Sequence, residues 1–485
     1  MRLTHAPPNQ RQLRLALLVY TLQVHRRLFD WLPEIALTIA ALFFTYRELG
    51  TFPGAWLDEG LFIMTAKNLA AGKGYGIPLL NEVWYYPYFL AVGPTVILPV
   101  AAAIKLFGLS IAAARIPMTL YILGTCIGMY AFTWKIADRT AARWSTALLV
   151  TLSAFINTGK PVLGEVPGFF FIMLGLLAMV WIEKPIHRGI ASGVFFGLAI
   201  VSKLTFGIML PSLAFVMFAA MIGRRWKTTL SVGISGCVAA VLYIPWRIIE
   251  SLHTPAGSLS EELGKFVFGG GDTPLLYVLR ENREILTRLP SLAFAFIFVV
   301  AVTGVWSPRC TVSRSVKLLV CTTAGLFTLY FLNSYGWYRH LLPAHLILLP
   351  FVPFGVEFIG GRKPAMAILS VIIAAQGVWQ LQHRGSGFGT ASAEGARIVQ
   401  EQYAETNLLI EEAELMAQLP ENPHWLYLIR ERVSPSMPER FRTPAAGQLC
   451  WQHVRKLNEE EERQFSGAAI KAGGYYILPP APGCE

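Results

Sequence analysis

Long apolar runs separated by short basic clusters recur along the chain up to about residue 381. A helix needs about 20 mostly apolar residues to cross a bilayer. On that criterion the pattern predicts spans near 31 to 47, 112 to 134, 143 to 158, 165 to 182, 189 to 203, 205 to 223, 228 to 249, 289 to 306, 315 to 333, 339 to 358 and 364 to 381. Basic residues gather in alternate connections: Arg26 and Arg27, then Lys135, Arg139 and Arg143, then Lys184 with Arg188, Arg224 and Arg225 with Lys227, Arg309 with Arg314, and Arg362 with Lys363. The positive-inside rule puts all of these in the cytoplasm, together with the N-terminus. The run from Tyr86 to Phe107 is apolar enough to cross, yet a crossing there would invert every later loop. It is therefore read as a re-entrant or membrane-parallel element, in keeping with Pro87, Pro94 and Pro99. The other solution, that a different segment fails to span, stays open.

The expected fold class is an α-helical polytopic membrane protein of about 11 to 13 transmembrane helices with a small C-terminal soluble α/β domain. Residues 1–30 form a cytoplasmic segment whose run from Leu13 to Val24 is flanked by Arg11, Arg14, Arg26 and Arg27. That run carries Gln23 and no small-residue cleavage site, which predicts an amphipathic helix on the membrane surface and not a signal peptide. Residues 31–383 form the transmembrane domain, with extracytoplasmic loops at 47–86 and 250–288, and 384–485 form an extracytoplasmic tail. Within the tail, a helical stretch from Ser392 to Gln418 and strand-like runs at Trp425 to Ile429 and Tyr475 to Leu478 indicate mixed structure.

Composition agrees with a lipid solvent: 54% of the 485 residues are hydrophobic and 15% charged, against roughly 25% charged in soluble chains. The net charge of +11 would suggest nucleic acid in a soluble protein. Here it sits in cytoplasmic clusters, so membrane lipid is the expected partner and nucleic acid is not. Of the six cysteines, Cys126, Cys237, Cys310 and Cys321 lie in or beside apolar segments and read as core packing. Cys450 and Cys484 stand alone in the tail, where an oxidising compartment favours a bridge between them over a free thiol at the chain end.

The stretch Trp56-Leu57-Asp58-Glu59-Gly60 carries the strongest chemical signal, two adjacent carboxylates opening a helix at the membrane surface. Pattern alone gives equal weight to acids that only complement a helix N-terminus. No Walker A loop, GxGxxG motif or nucleophile elbow occurs, which disfavours ATP or nucleotide-sugar use and serine hydrolase chemistry. Most histidines are uninformative; His253 and His340 fall on the outer side.

An Asp-Glu pair just after the first span, followed by Leu106-Phe107-Gly108, Ala114-Arg115-Ile116-Pro117, Gly197-Leu198-Ala199-Ile200-Val201-Ser202-Lys203, Pro245-Trp246 and Tyr338-Arg339-His340-Leu341-Leu342-Pro343, resembles the GT-C glycosyltransferases. Within them it is most similar to the protein-mannosyltransferase and aminoarabinose-transferase branch. The resemblance covers nearly the whole membrane part and excludes the tail. It implies a sugar moved, with inversion, from a polyprenyl-phosphate or dolichyl-phosphate donor to a hydroxyl of a lipid, glycan or protein acceptor outside the cytoplasm. A bacterial inner membrane is the expected location.

By that resemblance Asp58 is the base or acceptor-orienting carboxylate, with Glu59 and Glu165 beside it. A carboxylate suits the task because an acceptor hydroxyl is a poor nucleophile until its proton is taken. Arg115, Arg339, Lys203 and Tyr338 are the expected donor-phosphate ligands, since cations stabilise a departing lipid phosphate. The plain alternatives are interfacial snorkelling for the cations and a helix-start acid for Glu165. The family often has Asp where Glu165 stands; with Asp58 and Glu59 it would give an oxygen-rich site for Mg or Mn. The rival readings are a multi-pass transporter, against which stand the lack of an inverted repeat and the large outer regions, and a non-catalytic GT-C-like scaffold subunit.

Overall fold

Seven helical stretches among the described residues are long and apolar enough to cross a membrane: Ile111–Ile136, Pro185–Ser202, Leu204–Ile222, Trp226–Leu252, Arg314–Leu332, Tyr338–Gly360 and Arg362–Gln382. They belong to a computed structural model that describes residues 30–87, 90–253, 299–333, 337–382, 390–429, 437–465 and 467–480. The first helix, α1, covers residues 30–46. In the loop that follows lie α2 (Leu57–Ala70), the hairpin β1 (Gly76–Leu79) and β2 (Glu82–Tyr85), and α3 (Pro94–Phe107). Then come α4 (Ile111–Ile136), α5 (Arg139–Thr151), α6 (Ser153–Gly159), α7 (Glu165–Trp181), α8 (Pro185–Ser202), a 3-10 turn at Leu204–Ile208, α9 (Met209–Ile222) and α10 (Trp226–Leu252). Residues 299–305 are helical and are labelled α11. The membrane part ends with α12 (Arg314–Asn333), α13 (Tyr338–Leu348), α14 (Val352–Gly360) and α15 (Arg362–Gln382).

One expected span is broken. The run 143 to 158 is broken at Leu152, whose ψ of 103° is extended, so α5 and α6 have 13 and 7 residues. The hydroxyl of Thr151 donates back to the Ala147 carbonyl at 2.9 Å, a local bond that competes with the helix ladder. The run from Tyr86 to Phe107, expected not to cross, has among its described residues a single α-helix, the 14-residue α3. At 1.5 Å per residue that is about 21 Å, short of the roughly 30 Å hydrocarbon layer. The run 289 to 306 lies largely outside the described residues, as do residues 1–29 and nearly all of the 250–288 loop.

Lipid supplies no hydrophobic force between helices, so close backbone approach matters there. Gly189, Gly193 and Gly197, spaced by four, form one stripe of α8 against α10; a Cβ on Gly189 or Gly193 would meet the Ser231 or Ser235 carbonyl at 2.6 or 2.7 Å.

The tail is α/β. It holds α16 (Ala391–Gln402), β3 (Leu408–Ile410), α17 (Ala413–Met416), β4 (Trp425–Tyr427), β5 (Gln452–Arg455), α18 (Glu459–Gln464), β6 (Ile470–Ala472) and β7 (Tyr475–Leu478). The sheet order is β4-β3-β5-β7-β6, with β3 parallel to both neighbours and β7 antiparallel to both of its own. Cys450 is in a disulfide, while Cys126, Cys237, Cys310 and Cys321 are free; the expected partner, Cys484, lies outside the described residues.

The tail shares one apolar core with the first loop, in which Phe62, Ile63 and Ile77 pack with Leu408, Ile410 and Leu415. The Leu80 amide donates to the Tyr427 carbonyl at 2.9 Å, Trp84 stacks on Phe441 at 5.4 Å, and Lys73 pairs with Glu421 at 2.7 Å. Lys67 donates to the Leu419 carbonyl at 2.6 Å, and burial lowers its ammonium from 10.5 to about 8 against the opposing pull of Glu421. The docked state therefore binds fewer protons than the undocked one, and the penalty is full below about 8. Docking is expected to tighten as pH rises through that value toward the ordinary lysine range. Limited proteolysis of the tail across this window would show it, and Lys67→Met should flatten the profile.

Candidate active site

Asp58 and Glu59 lie in the first turn of α2, where the helix dipole favours negative charge. Consecutive helical residues point about 100° apart, so the two carboxylates have separate fates. Glu59 turns inward and is fully buried. It receives the Arg115 guanidinium in a fork, Nε to Oε1 at 2.7 Å and Nη2 to Oε2 at 2.6 Å, and the Val162 amide at 3.0 Å. Arg115 Nη1 donates to the Leu49 carbonyl at 2.9 Å. Arg115, expected to meet the donor phosphate, has no exposure, and all three of its nitrogens are engaged within the protein. The pair fastens α2 to α4 and the 160–164 connection.

Asp58 keeps a side-chain exposure of 31% and accepts from Arg339 Nη1 at 2.9 Å. The Arg339 guanidinium lies between two indoles, 4.7 Å from the Trp56 ring and 4.4 Å from the Trp337 ring. Such stacking holds the planar cation in one orientation. Its Nε is 3.8 Å from Glu165 Oε1, and Glu165 pairs with Lys203 at 2.5 Å. Asp58, Arg339, Glu165 and Lys203 thus form one chain of alternating charges, drawn from α2, α13, α7 and the end of α8.

Lys203 is placed there by the break between two spans, Pro185–Ser202 and Leu204–Ile222. Between α8 and the 3-10 turn its backbone is extended, with φ −157° and ψ 131°, and it makes an isolated antiparallel bridge to Val92. Gly164, just before Glu165, permits the approach, because a Cβ would stand 2.7 Å from the Ser202 carbonyl and 2.8 Å from Lys203 Cβ.

Two buried atoms of this chain have no hydrogen-bond partner among the described residues, Glu165 Oε2 and Arg339 Nε. Buried polar atoms are usually satisfied, and those that are not tend to mark functional positions. Tyr338 is not brought into the cluster: its hydroxyl meets His345 Nδ1 at 2.9 Å. The expected Mg or Mn site has no ready ligand set here. Among the described residues no three Asp, Glu, His or Cys side chains are placed to hold a metal. Glu59 is spent on Arg115, and Asp58 and Glu165 each face a cation. Sequence reading missed Trp56 and Trp337, although each is within two residues of a charged site residue. It also undervalued His340, which is buried against Tyr330 and Trp337 with ring centroids 5.1 and 5.7 Å away.

Residues 92–249 match the family model described as dolichyl-phosphate-mannose-protein mannosyltransferase, a segment that includes Arg115, Glu165 and Lys203. ArnT from Cupriavidus metallidurans, solved bound to undecaprenyl phosphate, superposes with a TM-score of 0.65 at 13% identity, covering 93% of this chain and 98% of its own. The chain has the GT-C fold. A second GT-C structure, the Archaeoglobus fulgidus oligosaccharyltransferase in complex with Zn and sulfate, gives a TM-score of 0.53 at 14% identity over 81% of this chain and 62% of its own. A third, AglB from the same organism with an inhibitory peptide and a dolichol-phosphate, gives 0.53 at 12% over 84% and 65%. No curated protein matches the chain by sequence.

Proposed function

We propose that this GT-C protein is a membrane glycosyltransferase that moves a sugar from a polyprenyl-phosphate donor to a hydroxyl acceptor on the extracytoplasmic face, with inversion. The carrying observation is the alternating charge chain from Asp58 through Arg339 and Glu165 to Lys203, with Asp58 at its exposed end. The mannosyltransferase-family match and the lipid phosphates bound by the similar structures support the donor class.

In the resting arrangement the two carboxylates neutralise the two cations. An incoming phosphate offers Arg339 and Lys203 a competing anion, with Arg339 already oriented by Trp56 and Trp337. Drawing Arg339 toward the phosphate frees Asp58 to accept the acceptor's proton as the new C–O bond forms and the phosphate leaves. Glu165 holds the Lys203 ammonium for that role and is not proposed as a metal ligand. Arg339→Ala is expected to weaken donor binding by about 1.5 to 3 kcal/mol, the worth of one charge-assisted hydrogen bond. Titration of the purified protein with a polyprenyl-phosphate sugar measures this, and unchanged affinity would remove Arg339 from the donor site. Directional solute uptake without glycosyl transfer would favour the transporter instead.

The proposed orientation puts Asp58 and the tail on the side opposite Arg224 and Arg225. Single cysteines introduced in the tail and beside Arg225 are expected to react with an impermeant reagent from opposite faces. Labelling of the tail only after the inner face is opened would overturn both the orientation and the reaction side.

A further inference from the structure

A polar cavity of about 310 Å³ lies at the other end of the helices from the charge chain, within the roughly 300–1,000 Å³ range of small-molecule sites. It is reached along α4: from Arg115, near the site, to Asp138, just past its last residue Ile136, is about 35 Å at 1.5 Å per residue. That is a full hydrocarbon thickness. Three spanning stretches, Ile111–Ile136, Tyr338–Gly360 and Arg362–Gln382, end or begin around it. The cavity therefore sits at the level of the lipid headgroups of the leaflet opposite Asp58.

Its lining carries both signs of charge above an apolar floor that includes Phe354 and Leu369. Arg309 is occupied by Glu357 at 2.5 Å. Arg362, exposed on the first turn of α15, has no ion-pair partner among the described residues. Asp138 also lines the cavity; its Oδ1 accepts from the Ala141 amide at 2.8 Å as the cap of α5, and its charge has no ion-pair partner among the described residues. One uncommitted cation and one uncommitted carboxylate thus line the same half-open space.

We propose that this cavity is a binding site for a phospholipid whose headgroup carries both a phosphate and a primary ammonium. The phosphate faces Arg362, the ammonium donates to Asp138, and the acyl chains continue along the apolar wall into the bilayer. A headgroup with phosphate alone would leave Asp138 facing an anion, and one with a quaternary ammonium would have no N–H to donate. The site rests on the spanning arrangement and not on the proposed reaction, so it stands or falls separately.

Native mass spectrometry of the full-length protein in detergent, titrated with dioleoyl phosphatidylethanolamine, tests it. Phosphatidylglycerol, phosphatidylcholine and soluble glycerophosphoethanolamine form the comparison arms. The expected result is one retained phosphatidylethanolamine, bound about tenfold or more tighter than the other three. Arg362→Ala and Asp138→Asn should each lose that preference at wild-type melting temperature, since Asn still caps the helix. Equal retention of phosphatidylglycerol or phosphatidylcholine, or full retention of phosphatidylethanolamine by both variants, overturns the proposal. Equally tight binding of glycerophosphoethanolamine overturns the assignment to a lipid.

Discussion

Asp58→Asn is expected to lower glycosyl transfer by about 10²- to 10⁴-fold, the range of a lost general base, while leaving donor affinity intact or slightly stronger. The asymmetry follows from the geometry. Asp58 is the exposed end of the charge chain, and in the resting state it competes for the Arg339 guanidinium at 2.9 Å. Asn preserves the size and can still accept a hydrogen bond, so the fold has no reason to change. It carries no negative charge, so it neither takes the acceptor proton nor holds Arg339 back from a phosphate. Single-turnover transfer from a polyprenyl-phosphate sugar, with donor binding measured separately, reads both quantities. Wild-type turnover in the variant would remove Asp58 from the mechanism. A parallel loss of donor affinity would recast it as a positioning group for Arg339.

The second large effect concerns stability. Arg115→Ala or Glu59→Ala leaves one member of a fully buried ion pair alone, and such breaks cost about 3–5 kcal/mol. Each single variant is therefore expected to melt well below the wild type in detergent. The double variant Glu59→Leu with Arg115→Met should recover much of the loss, because replacing both charges by apolar groups removes the unpaired ion along with the pair. Thermal unfolding of the four proteins decides this. A folded Arg115→Ala protein of wild-type stability but poor donor binding would return Arg115 to the phosphate site.

Much of this protein was legible from one dimension. The apolar runs dictated helices, because a bilayer offers backbone groups no other partner. The mixed pattern of the tail announced an α/β unit, and the resemblance to the GT-C glycosyltransferases pointed to Asp58, Arg339, Glu165 and Lys203. Sequence did not separate Asp58 from its neighbour. Both acids have the same chemistry and spacing, and only the packing of α4 against α2 decided that Glu59 would be sealed on Arg115 while Asp58 stayed accessible. Nor did it show that Arg339 would be stacked between Trp56 and Trp337, residues 281 positions apart in the chain from α2 to α13 in the same way as the Arg339–Asp58 bond. The tail's dependence on the first loop was equally hidden. Gly60 reads as an ordinary small residue, yet a Cβ there would stand 2.3 Å from the Glu414 amide nitrogen, so the helix bearing Asp58 is seated directly on the tail. Composition and periodicity determine which solvent each segment prefers, a property of neighbouring residues. Which charge meets which is settled by contacts between distant segments, and those exist only once the helices have packed.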